Sequence, residues 1–215
     1  MLDNFLQTII FYDINRALKA QNGKPQIIQG DLCPTKDLKP DWALIDYDQA
    51  TKSPSSFLAG ETKLGWRAKV GDEPWLTEDE WQKPIYQTAK YMIASGTRYG
   101  YIITDIELVV LRLAMGTSDR PVTRGAVASG GGAALEEAPY YRIRYKRILW
   151  GTNGQGQMTV KLALWFLAMM ARNGDRKIEA SYPPINTWRL TNGEYVHCLT
   201  GKRKKKLGRG DSLIK

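Results

Sequence analysis

Two β-rich runs, YGYIIT at 99–104 and ELVVLRL at 107–113, are separated only by Asp105-Ile106. Aromatic and β-branched residues on both sides of so short a break predict a β-hairpin. Two earlier segments, DWALIDY at 41–47 and FLAGETKL at 57–64, flank the turn-rich ATKSPSS at 50–56 and predict a second hairpin. QIIQ at 26–29 is short enough for a small strand, and YYRIRYKRI at 140–148 alternates as a strand does.

Helical periods punctuate these strands. Leu2, Phe5, Leu6, Ile9, Ile10, Ile14, Ala17 and Leu18 recur at helical spacing across 2–20, and Asn22-Gly23 with Pro25 ends the run. A helix is predicted from about Pro84, through YQTAKYMIAS, to Gly96. A strongly apolar helix is predicted over 157–172, stopped by Asn173-Gly174. Residues 65–83 read as a loop and 116–138, with GAVASGGGAA, as a flexible insertion. The order helix, strands, helix, strands, helix implies an α/β or α+β fold in which helices pack on a mixed sheet.

Composition narrows the function classes. No apolar run reaches the ~18 residues that span a bilayer, and MLDNFLQTII lacks the basic cluster of a secretory signal, so an intracellular protein without membrane partners is expected. Cys33 and Cys198 are far apart and His197 is the one histidine, which excludes a disulfide framework and the usual zinc sets. Any metal is then expected to be a hard cation on oxygen ligands. The net charge is +9, but residues 201–215 hold seven basic residues against Asp211 alone. The basic signal therefore belongs mainly to the tail.

Chemistry concentrates in Pro40-Asp41 and Glu61-Thr62-Lys63. If 41–47 and 57–64 pair, Asp41 comes near Glu61, and Glu61 and Lys63 share a face because the strand period is two. Two carboxylates and an ammonium suit phosphodiester hydrolysis. The carboxylates hold a cation that offsets developing charge and acidifies water, with the Thr62 carbonyl as a third donor and Lys63 stabilising the phosphorus centre. On the next helix, Gln87 and Tyr91 are four residues apart and so share a face.

Pro40-Asp41, Glu61-Thr62-Lys63 and Gln87-x-x-x-Tyr91, in that order, resemble the PD-(D/E)XK nuclease superfamily, and the last element its RecB-type branch. The stretches KPDWALI, AGETKLGWRAK, PIYQTAKY and TRYGYIITDIELVVLRL resemble the PD-(D/E)XK nuclease-like domains of fungal proteins. The resemblance implies a restriction-endonuclease-like core, with a central four-stranded mixed sheet flanked by helices, over residues 1–174. It implies a nuclease using Mg²⁺ or Mn²⁺, with metal at Asp41, Glu61 and Thr62 and catalytic roles for Asp41, Glu61, Lys63, Gln87 and Tyr91. The alternative is an inactive nuclease-like fold that binds nucleic acid or protein. Members often carry a Glu or His on the first helix. Here only Asp3 and Asp13 are acidic in that region, and Asp13 is the candidate.

Further residues have two readings. Arg142, Arg144 and Lys146 share one strand face and either contact phosphates or guard an edge strand with charge. Arg98 stands just past the motif helix as a further candidate contact to nucleic acid, with DNA favoured over RNA. Trp42, Trp66, Trp75 and Trp81 are expected to pack in core and loops, with base stacking as the alternative. Residues 175–200 are expected to be irregular, with a small hairpin at Asn192-Gly193. Residues 201–215 are expected to be a disordered basic tail whose KRKKK run suits nuclear targeting or phosphate contact.

Overall fold

The computed structural model describes residues 2–20, 25–30, 38–48, 53–68, 78–116, 140–173, 176–184, 186–198 and 201–214. The chain opens with α1 (Leu2–Phe5), a π-helical stretch (Leu6–Phe11) and α2 (Tyr12–Lys19). The wider π turn keeps Leu6, Ile10 and Phe11 buried on one side, in line with Ile14 and Leu18. Strands β1 (Gln26–Gln29), β2 (Trp42–Asp48) and β3 (Ser53–Thr62) follow, then α3 (Glu78–Ala94), β4 (Tyr99–Ile103), β5 (Glu107–Met115), β6 (Tyr141–Leu149) and α4 (Val160–Asn173). One six-stranded sheet has the order β1-β2-β3-β4-β5-β6. Only β3 and β4 are parallel, with α3 as their crossover, and every other neighbouring pair is antiparallel.

The sheet separates two cores. Residues Leu44, Leu58, Tyr101, Ile103, Leu108 and Ile148 face the N-terminal helices and α4. Ala59, Ile102, Val109, Leu111 and Leu113 face α3. Strand alternation alone produces this division, since neighbours along each strand point to opposite faces. Gly60 makes room for its cross-strand partner: a Cβ there would lie 2.1 Å from the Tyr101 ring, which lies over it on the same face.

Several expectations are corrected here. The sheet has six strands rather than four, because β1 pairs onto β2 and β6 onto β5 along its whole length. Residues 53–56 are strand rather than turn, since β3 continues to pair with β2 back to Ser53. Helix α3 begins at Glu78, which puts Pro84 inside it rather than in its first turn. Residues 65–68 are held by side chains from the β4–β5 end. Asp105 accepts from Gly65 N–H at 3.0 Å and Glu107 from Ala68 N–H at 2.8 Å. The 117–138 part of the expected insertion, Trp75 and Cys33 lie outside the described residues.

The C-terminal region departs most. Strands β7 (Thr187–Thr191), β8 (Glu194–His197), β9 (Arg203–Lys204) and β10 (Ser212–Leu213) form a second sheet, ordered β10-β7-β8-β9. The hairpin at Asn192-Gly193 forms as expected, with both residues at positive φ. The stretch expected to be a disordered tail is built into this sheet. Asp211 accepts from Trp188 Nε1 at 2.7 Å, from Gly208 N–H and from Lys204, whose ammonium also sits 3.6 Å from the Trp188 ring centroid. Lys204 first, and then these other donors, hold the Asp211 carboxyl below its ordinary pKa. The one acid of the stretch thus organises the charges that made it look like a tail.

Candidate functional site

Asp41 and Glu61 are brought together by the β2–β3 hairpin. Trp42 pairs with Gly60, so the next positions outward, Asp41 and Glu61, stand across from one another. Asp41 Oδ2 accepts from Thr62 N–H at 2.8 Å, and Trp42 Nε1 donates to Thr62 Oγ1 at 2.8 Å. Phe11 packs against Trp42 with ring centroids 4.5 Å apart, which ties the N-terminal helix to this corner. Gly30 N–H donates to the Asp41 carbonyl at 2.9 Å. A Cβ on Gly30 would lie 1.3 Å from the Pro40 carbonyl oxygen, so only glycine lets β1 end against the turn that presents Asp41.

Glu61 and Lys63 share the α3 face, as the strand period requires. The Lys63 Nζ lies 2.7 Å from Glu61 Oε1. Glu61 is 2% exposed, and its Oε2 is buried with no hydrogen-bond partner. Burial raises the Glu61 pKa. Lys63 lowers it through hydrogen bonding and charge, the Asp41 charge raises it, and the Asp41 backbone N–H lowers it slightly. Asp41 itself is exposed. It lines an open cleft of about 490 Å³ with Asp3, Lys39, Thr62, Lys63 and Leu64. The site is therefore a half-buried acidic pair with one ammonium at the wall of a cleft.

A buried carboxylate oxygen without a donor, beside a second carboxylate that repels it, is the setting in which a hard cation gains most. Asp41 and Glu61 fit Mg²⁺ or Mn²⁺, which is often held by one or two carboxylates with water completing its shell. Among the described residues no group of three acidic, histidine or cysteine side chains gathers around a common point. The expected first-helix acid is not Asp13, which is ion-paired to Lys161 at 2.5 Å. Asp3 is the acid of that helix that lines the cleft, a role the sequence did not single out.

Gln87 and Tyr91 share a face of α3 and bond to each other, Gln87 Nε2 donating to Tyr91 Oη at 2.7 Å. Tyr91 is buried in the α3-side core. Both belong to the layer that covers Glu61, yet among the described residues neither hydrogen-bonds to Asp41, Glu61 or Lys63. Beyond Lys63, the same end of the sheet carries a second buried acid, Glu107, which is fully satisfied by Arg147 at 2.5 Å and Ala68 N–H. Glu107 is thus a structural anchor for the segment that follows Lys63.

The basic residues lie elsewhere. Arg142 and Arg144 project from edge strand β6, on the face opposite to Glu61. They stand at the far end of the sheet, with Arg98 just before β4. Lys146 lies nearer the middle, paired with Val110. Trp42 and Trp66 are buried, in keeping with packing, while Trp81 faces Tyr145 across the edge of α3. Searches of family models, curated proteins and solved structures yield no match to the chain.

Proposed function

We propose that the protein is a metal-dependent nuclease that hydrolyses phosphodiester bonds, DNA in preference to RNA, in the cleft beside Asp41, on a restriction-endonuclease-like core. The observation that carries this reading is that Asp41 and Lys63 line the cleft while Glu61 stands across from Asp41 in the β2–β3 register and beside Lys63, buried, with its Oε2 unpartnered. Asp41 and Glu61, with the Thr62 carbonyl, would hold Mg²⁺ or Mn²⁺. When bound, the ion supplies charge neutralisation at the phosphate and acidifies water. Lys63 presents a fixed ammonium to the negative charge that builds on phosphorus as a water oxygen adds. The bond to the leaving oxygen breaks, and that oxygen takes up the proton. Gln87 and Tyr91 act as a hydrogen-bonded pair that steadies the layer behind Glu61. The exposed Lys202, Lys205 and Lys206 add phosphate contacts or nuclear targeting.

Incubation of labelled single- and double-stranded DNA and RNA with Mg²⁺ or Mn²⁺, against EDTA and Lys63→Ala, tests the proposal. Metal-dependent cleavage that falls about 10²–10³-fold in the variant is expected. Absence of cleavage by folded protein would overturn the hydrolytic reading. A second reading, a nuclease-like fold that binds without cutting, is favoured by the lack of a third acid gathered with Asp41 and Glu61 among the described residues. Salt-sensitive binding without cleavage would select it.

A further inference from the structure

At the end of the six-stranded sheet away from Asp41, three arginines meet around one tyrosine. Arg112 and Arg144 are direct cross-strand partners on β5 and β6, and Arg142 follows on the same face opposite Ala114. With Ala180, Ser181 and Tyr182 they line a pocket of about 170 Å³. We propose that this pocket binds a single phosphate-type anion.

Three observations support the assignment. First, like charges set directly opposite each other in a sheet are destabilising, and among the described residues no carboxylate pairs with Arg112 or Arg144. A bound anion would offset that repulsion. Second, the pocket is preorganised. Tyr182 Oη donates to the Leu113 carbonyl at 2.7 Å and accepts from Glu179 N–H at 3.0 Å, which fixes the ring. The Arg112 and Arg98 guanidiniums lie 5.2 and 4.5 Å from its centroid, and Arg142 Nη2 donates to the Ala180 carbonyl at 3.2 Å. Third, size and chemistry agree. The volume is below the ~300 Å³ at which drug-sized ligands are accommodated, whereas guanidinium forks match the oxygens of a phosphoryl group. The site stands on the opposite sheet face from Glu61 and does not rest on the nuclease reading.

Two sources supply this chemistry: a free phosphate species or a phosphate of a nucleic-acid backbone. Titration of the full chain with inorganic phosphate in EDTA, followed by calorimetry, tests the pocket without involving the acidic site. Saturable one-site binding is expected, weakened about 10-fold or more by Arg144→Gln and by Arg112→Gln. Arg144 is exposed, so Arg144→Gln keeps the fold, as circular dichroism will verify. No saturable binding, or equal binding by wild type and both variants, overturns the proposal. A short oligonucleotide without terminal phosphates then separates the sources. Displacement of phosphate in wild type assigns the pocket to backbone, and failure to displace assigns it to free phosphate.

Discussion

The two ends of the central sheet are built from opposite charges and tolerate them differently. At one end, Asp41 and Glu61 stand together, with Thr62 N–H on one carboxylate and Lys63 on the other. At the far end, Arg112, Arg142 and Arg144 gather with only aromatic and carbonyl neighbours described. The acidic end is partly compensated from within the chain and leaves one buried oxygen unsatisfied. At the basic end Arg142 is held by the Ala180 carbonyl, and among the described residues no carboxylate pairs with Arg112, Arg142 or Arg144. The comparison teaches that a single sheet can gather acidic side chains at one end and basic side chains at the other, through the cross-strand pairs its antiparallel strands set. The C-terminal sheet is the counter-example, since Asp211 there satisfies Lys204 and the Trp188 indole together.

The largest expected effect comes from removing charge at the acidic end. Glu61→Gln should abolish metal-dependent cleavage, with a loss of at least about 10²-fold, while leaving phosphate binding at the arginine pocket unchanged. Loss of both functions would show that the two ends are not independent. Next is Gly30→Ala, which displaces the Pro40 carbonyl and with it Asp41. A destabilisation of about 1–3 kcal/mol is expected from overpacking, read by denaturant unfolding, together with weaker Mn²⁺ binding. Unaltered metal affinity in that variant would show that Asp41 does not depend on the Gly30 contact.

A pH effect sharpens the same comparison. The Glu61 pKa is raised in the fold, chiefly by burial. Its contribution to stability is therefore fully present below its unfolded pKa and is lost as pH rises through its folded pKa. Glu61→Gln should then melt at or above the wild-type temperature near neutral pH, and the advantage should vanish in acid. The smallest effect is expected at the compensated sheet. Asp211→Asn should leave cleavage and global unfolding nearly unchanged while speeding amide exchange in β9 and β10.

The acidic site was largely legible in the sequence because it depends on local rules. A short hairpin sets Asp41 across from Glu61, and period two sets Lys63 beside Glu61. What escaped depends on contacts between distant segments. Asp3 reaches the cleft only because the π-helical stretch and Phe11 seat the first helix on Trp42. Arg112 was not singled out in the sequence, and its setting appears only when β6 brings Arg144 across from it and Tyr182 hydrogen-bonds to Leu113. The 201–214 segment carried a dense basic run, and nothing local showed that Trp188 would receive Lys204 and Asp211. All six strands were legible as segments; what escaped was that β1 and β6 join the other four in one sheet, since a strand's neighbours are not written in its own residues.

The most direct test of the acidic end as a cation site is Mn²⁺ binding measured by electron paramagnetic resonance on wild type and Glu61→Gln at neutral pH. One site in wild type, weakened by at least about 10-fold in the folded variant, is the predicted result. Equal Mn²⁺ binding by both proteins would contradict the account.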